Sequence, residues 1–117
     1  MDKMNLILHN ANEPDLPVIA RMNKQLIDDE GSKNPMSIEE LERRMKGWLL
    51  SDWKIDLISN SSETIGYALY QYIENQYFKE QKEVYLRQYY IKPDFRNQGY
   101  GHEGIKLLLA NRIDETL

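Results

Sequence analysis

The sequence predicts an α+β domain, on three observations. Two amphipathic helical stretches come early. The hydrophobic period then changes from 3.6 to 2 for three successive segments. A glycine-rich turn finally leads into one more amphipathic helix. Such an order, β α α β β β α, implies antiparallel hairpins with helices packed on the sheet. The chain's 117 residues suit one domain, and residues 1–117 are read as such.

Leu6-Ile7-Leu8 is a short apolar first strand. Asn12-Glu13-Pro14-Asp15 reads as a helix start, with a capping Asn, early acids and a proline whose missing N–H costs little there. Leu16, Ile19, Ala20, Leu26 and Ile27 follow at helical spacing, with Asn23 as the one polar exception on that stripe. Gly31 should end the helix, and Asn34-Pro35 marks a loop. Ser37-Ile38-Glu39-Glu40 is a capping box for a second helix with Ile38, Leu41, Met45, Trp48 and Leu49 on one face. Trp53, Ile55 and Leu57 then alternate with Lys54 and Asp56, which is strand-like. Asn60-Ser61-Ser62 is a turn, and 64–73 alternates again with Ile65, Tyr67 and Leu69 on one face. A polar loop is expected over 75–82. The next strand, 83–91, should place Val84, Leu86, Gln88 and Tyr90 on one face until Pro93 ends it. The last helix should start near Gly99, with Ile105, Leu108, Leu109 and Ile113 facing the core.

Composition excludes several function classes. Hydrophobic residues make up 41% and charged residues 29%, ordinary for a globular protein. No apolar run approaches the ~20 residues needed to span a bilayer, and the start lacks a signal peptide's apolar stretch. A cytoplasmic protein with no membrane partner is therefore expected. With no cysteine there is no disulfide framework or thiol nucleophile, and no carboxylate-rich metal cluster stands out, so no metal is expected. Fifteen basic against 19 acidic residues give a net charge of −4, which disfavours nucleic acid as a partner.

The chemistry concentrates in EVYLRQYYIKPDFRNQGYGHEGIKLLL, residues 83–109. Gly99 and Gly101 allow positive φ and close approach of the backbone. A helix N-terminus adds unpaired N–H groups and partial positive charge. Arg96 offers a charge-assisted contact. Without any family in view, this is either a diphosphate-binding turn or a glycine-rich loop that merely starts a helix. Gly99, Gly101 and Gly104 also spell GxGxxG, but that fingerprint needs an acid on a second strand about 20 residues later. Only thirteen residues follow Gly104. A Walker A loop is absent, since no Lys-Ser or Lys-Thr follows the glycines.

Ile91-Lys92-Pro93-Asp94-Phe95-Arg96-Asn97-Gln98-Gly99-Tyr100-Gly101 resembles the acetyl-CoA signature of the GCN5-related N-acetyltransferases (GNAT). That signature has an apolar strand end, a proline, and then Arg/Gln-x-x-Gly-x-Gly/Ala. Arg96, Gly99 and Gly101 fill its positions. The resemblance implies the GNAT-like fold: a mixed, mainly antiparallel sheet flanked by helices. It implies acetyl-CoA as co-substrate and an amine acceptor, small molecule or peptide, that attacks the thioester directly. The amides of Asn97, Gln98, Gly99, Tyr100, Gly101 and His102 would hold the diphosphate. The backbone of Tyr89, Tyr90 and Ile91 would pair with the pantetheine arm like an added strand.

The family pattern continues past this helix with further strands, for which the chain to Leu117 has no residues. The expectation is a C-terminally truncated member, with a homodimer covering the exposed strand edge. An alternative is a catalytically silent domain that binds CoA or a protein partner. Glu83 opens the fourth strand, where some family members place a general base; the other reading is a solvated strand-end glutamate. Asp28, Asp29 and Glu30 oppose the dipole of the first helix at its end. They are either a solvated corner or an acidic rim that draws in a cationic amine. Seven of the eight tyrosines lie between Tyr67 and Tyr90. They form either a half-buried sheet or an aromatic acceptor groove, with Tyr70, Tyr72 and Tyr89 as the residues to test.

Overall fold

The computed structural model describes residues 5–74, 77–78 and 82–110. Most of the loop expected over 75–82, and Ile113, lie outside them. The elements are β1 (Ile7–Asn10), α1 (Leu16–Asp29), α2 (Ile38–Leu49), β2 (Lys54–Ser59), β3 (Thr64–Glu74), β4 (Lys82–Ile91) and α3 (Tyr100–Leu108). Short 3-10 turns, Glu13–Asp15 and Pro93–Phe95, precede α1 and α3. The expected order is the observed one. All strand pairs are antiparallel, in the order β1-β2-β3-β4.

Local signals act where the sequence places them. The Ser37 hydroxyl accepts from Glu40 N–H at 3.2 Å, and Glu40 Oε1 accepts from Ser37 N–H at 2.8 Å, starting α2. Gly31 takes φ 66° just past α1, and Ser32 N–H returns to Ile27 O at 3.1 Å. The start of α1 differs from expectation. Asn12 and Asp15 close on each other, Asn12 N–H to Asp15 Oδ2 at 2.8 Å, and form the 3-10 turn. The α-helix follows from Leu16.

The sheet is covered on both faces. Leu16, Ile19 and Met22 of α1 and Met45 of α2 pack with Ile55, Leu57, Tyr67, Leu69 and Tyr90. On the other face, Leu108 of α3 packs with Ala68 and Tyr70, and Ile58, Ile65 and Ile91 form a second cluster. Ile65 to Tyr70 are therefore all buried. The simple alternation read for β2 fails at Asp56, which is fully buried. Its Oδ2 accepts from the Tyr70 hydroxyl at 2.9 Å, so the carboxylate enters the core with a donor to meet it.

The face expected for β4 is also corrected. Leu69 pairs with Gln88, but Tyr70 pairs with Leu86, so Arg87 is an extra residue in the ladder. This bulge reverses the facing of everything before it. Gln88 and Tyr90 face α1, whereas Val84 and Leu86 pack on the α3 side with Tyr70 and Leu108.

Candidate functional site

The turn after β4 is tied down at both ends. Lys92 N–H donates to Ile65 O at 2.7 Å, Phe95 N–H to Lys92 O at 2.9 Å, and Arg96 N–H to Pro93 O at 3.2 Å. Asn97 then takes φ 61° and Gly99 φ 88°. These left-handed residues swing the chain into α3, where the helix's own bonding begins with Glu103 N–H to Gly99 O at 3.0 Å. The amides of the first turn, Tyr100 to His102, precede that bond and so lack an intrahelical acceptor. Gly101 does not take the positive φ expected of it. Its value is space: a Cβ there would meet nothing within 4 Å. The His102 side chain is exposed on the same turn.

Two neighbours fix this helix start. The Tyr89 hydroxyl donates to Gly101 O at 2.7 Å, and burial pushes its pKa up to about 12, so it remains a donor at neutral pH. A Cβ on Gly104 would lie 2.2 Å from that hydroxyl. Gly104 is thus the glycine needed for close packing, a role the sequence alone does not separate from those of Gly99 and Gly101. Arg96 spans the other side. Its Nε donates to Ile91 O at 2.7 Å, its guanidinium pairs with Asp29 of α1, and it lies 5.3 Å from the centre of the Tyr90 ring. The Arg96 hydrogen bond, followed by one from Gln25, holds the Asp29 carboxyl below the usual carboxylate range, so the pair stays ionised at neutral pH. Arg96 is a strut between turn and helix, rather than the open phosphate contact expected of it. Tyr90 is buried against α1.

A cavity of about 390 Å³ opens between α1 and β4, lined by Asn23, Leu26, Glu30, Arg87, Gln88 and Tyr89 among others. A second, of about 460 Å³, runs beside the turn, between Met22 and Gln25 of α1 and Tyr90, Lys92 and Pro93. Glu30 lines the first. Tyr70 and Tyr72 line neither of these; they border a separate cavity of about 280 Å³ with Asn10 and Trp53. Of the residues singled out for the acceptor, Glu30 and Tyr89 therefore share one cavity, and Tyr70 and Tyr72 lie apart from them in another. Glu83 is exposed near the start of β4, opposite Ile73. It lies four residue steps before Arg87, roughly 13 Å along a strand. Among the described residues no group of three or more His, Asp or Glu is placed to hold a metal ion.

The sequence reading missed a polar network at the β4 bulge. Arg44 Nη2 donates to Asn23 Oδ1 at 2.8 Å. Asn23 Nδ2 faces the Tyr67 hydroxyl at 3.1 Å and Gln88 Oε1 at 3.3 Å. The Tyr67 hydroxyl donates to Gln88 Oε1 at 2.8 Å. Burial pushes the Tyr67 pKa far above its ordinary value, so this hydroxyl keeps its proton. The one available signal was Asn23 itself, a polar residue on an otherwise apolar helical stripe.

A model of the acetyltransferase (GNAT) family matches residues 18–111 of the chain. The chain belongs to the GNAT family. This makes the protein an acetyltransferase. A thialysine N-epsilon-acetyltransferase of Sus scrofa is 26% identical over 95% of this chain and 69% of its own length. Among solved structures, a predicted acetyltransferase of Clostridium acetobutylicum, determined with acetyl-CoA, superposes with a TM-score of 0.71. It is 17% identical, over 96% of this chain and 76% of its own. An aminoglycoside acetyltransferase from an uncultured soil sample, in complex with sisomicin, gives a TM-score of 0.73 at 16% identity, covering 96% of this chain and 72% of its own. At such identities the structural likeness speaks for the GNAT fold. In this GNAT chain the left-handed pair Asn97 and Gly99 and the open space at Gly101 lie at the start of α3, and the bulge at Arg87 lies in β4.

Proposed function

We propose that the protein transfers the acetyl group of acetyl-CoA to a primary amine. The observation that carries this reading is the turn at 97–102, where left-handed residues lead into an open helix N-terminus directly after a bulged strand. Amides at a helix start, under the positive end of its dipole, suit a diphosphate. Tyr89 and Arg96 hold the turn from both sides, so little ordering is left for binding to do. The outer edge of β4 from Tyr89 to Ile91 is the place for the pantetheine arm to pair as an added strand. When bound, acetyl-CoA supplies an activated acetyl group that the amine takes by direct attack on the thioester.

The cavity between α1 and β4 is our candidate for the amine. It touches the bulge, and Glu30 gives it a carboxylate suited to an ammonium group. Glu83 remains the candidate base, acting through water from the exposed start of β4. A homodimer along the first half of β4 belongs to the same proposal and is read by light scattering.

The test is a transfer assay. Acetyl-CoA and a panel of primary amines are incubated with the protein, and the released CoA thiol is followed against a no-amine control. Amine-dependent thiol release, with mass spectrometry showing the acetylated amine, is the expected result. Acetyl-CoA bound without turnover on any amine would instead fit a silent CoA-binding domain.

A further inference from the structure

Resting on that acetyltransferase reading, we propose that Gln88 is a specificity-determining residue. Its carboxamide N–H takes a hydrogen-bond acceptor, a carboxylate, carried by the amine substrate. The substrate class is then an amino acid with a side-chain amine, rather than a plain polyamine.

The Arg44 guanidinium has donors and no acceptor. Asn23 must therefore turn its oxygen to Arg44, at 2.8 Å. Its nitrogen then faces Tyr67 and Gln88. Gln88 meets two donors, Asn23 Nδ2 and the Tyr67 hydroxyl, and can answer both only with Oε1. The polarity of the whole chain of bonds is set at Arg44 and handed on to the bulge. Asn23 is wholly buried, which removes water as a substitute partner. Gln88 Nε2 is left outside the network. It makes no hydrogen bond among the described residues and is not buried, and Gln88 lines the cavity between α1 and β4.

The two walls of that cavity carry opposite chemistry. Glu30, the residue that caps α1, offers a carboxylate. The β4 wall carries Gln88 and its chain neighbour Arg87, whose guanidinium lies over Trp48 and Trp53 at 5.3 and 5.7 Å from the ring centres. Donors on one wall and a carboxylate on the other match a molecule with an ammonium group and a carboxylate. A site built to hydrogen-bond a substrate group rejects the analogue that lacks it.

The experiment compares L-lysine with cadaverine, which is the same molecule without the carboxylate. Acetylation rates are measured on the full chain, together with calorimetric binding of each amine to the CoA-loaded protein. Wild type is expected to favour L-lysine by about tenfold in kcat/KM and in affinity. Gln88→Glu keeps an acceptor oxygen for Tyr67 and Asn23 but puts a negative charge where the donor was, and is expected to reverse the preference. Arg44→Met frees Asn23 to turn over, and is expected to bring the ratio towards one without replacing any side chain that lines the cavity. A purely structural role for Gln88 would lower both amines together and leave the ratio unchanged, which overturns the proposal. Failure of both amines to bind also overturns it. If acetyl-CoA still stabilises the fold in that case, the cofactor part of the acetyltransferase reading stands and the wider amine panel decides the rest; if it does not, that reading fails with it.

Discussion

Gly66→Ala is expected to lower stability by about 3 kcal/mol, near the upper end of overpacking costs. The midpoint should fall by on the order of 12 °C, at about 4 °C per kcal/mol for a chain of this length. Gly66 sits in β3 opposite Ile91. A Cβ there would lie 2.0 Å from the Tyr90 carbonyl oxygen and 3.1 Å from Ile91 Cδ1. The first neighbour is backbone, so no side chain can swing aside. The strands must separate at the point where β4 enters the turn, beside the Lys92 N–H bond to Ile65. Urea unfolding of the variant measures this directly, and an unchanged midpoint would show that the β3–β4 ladder yields more easily than its geometry implies.

Asn23→Leu is expected to cost about 3 kcal/mol for a different reason. Leucine keeps the branching and the number of side-chain heavy atoms of asparagine, so no cavity is made. The loss comes from what Asn23 leaves behind: a half-buried Arg44 guanidinium without its carbonyl partner, and a Tyr67 hydroxyl with one bond fewer. Groups stranded in this way carry their full desolvation penalty. The double variant Asn23→Leu with Arg44→Met should therefore recover part of the loss, because it no longer strands a charge. Strictly additive losses in urea unfolding would mean that the two side chains are not coupled.

The sequence exposed those parts of the fold that depend on short-range chemistry. The capping box at Ser37, the end of α1 at Gly31 and the change of period after α2 all involve groups within a few residues of one another. The turn at Gly99 was legible for the same reason. What stayed hidden depends on distant partners. Val84, Leu86, Gln88 and Tyr90 alternate without a break in sequence, and a bulge of one residue at Arg87 leaves no mark on that pattern. Asp56 looks like a surface residue until Tyr70 reaches it from the next strand. Arg96 looks like a phosphate ligand until Asp29 arrives from the first helix. Glu30 and the pair Tyr70 and Tyr72 look like one acceptor site until the fold puts them in separate cavities.

The most direct test of the account is a thermal melt with and without excess acetyl-CoA. At ~100 times Kd, a ligand that binds only the folded chain stabilises it by roughly 2.7 kcal/mol. The midpoint should then rise by on the order of 10 °C. A rise of that size is the predicted result and makes the turn at 97–102 a working cofactor site. No rise at saturating acetyl-CoA would contradict the account at its centre.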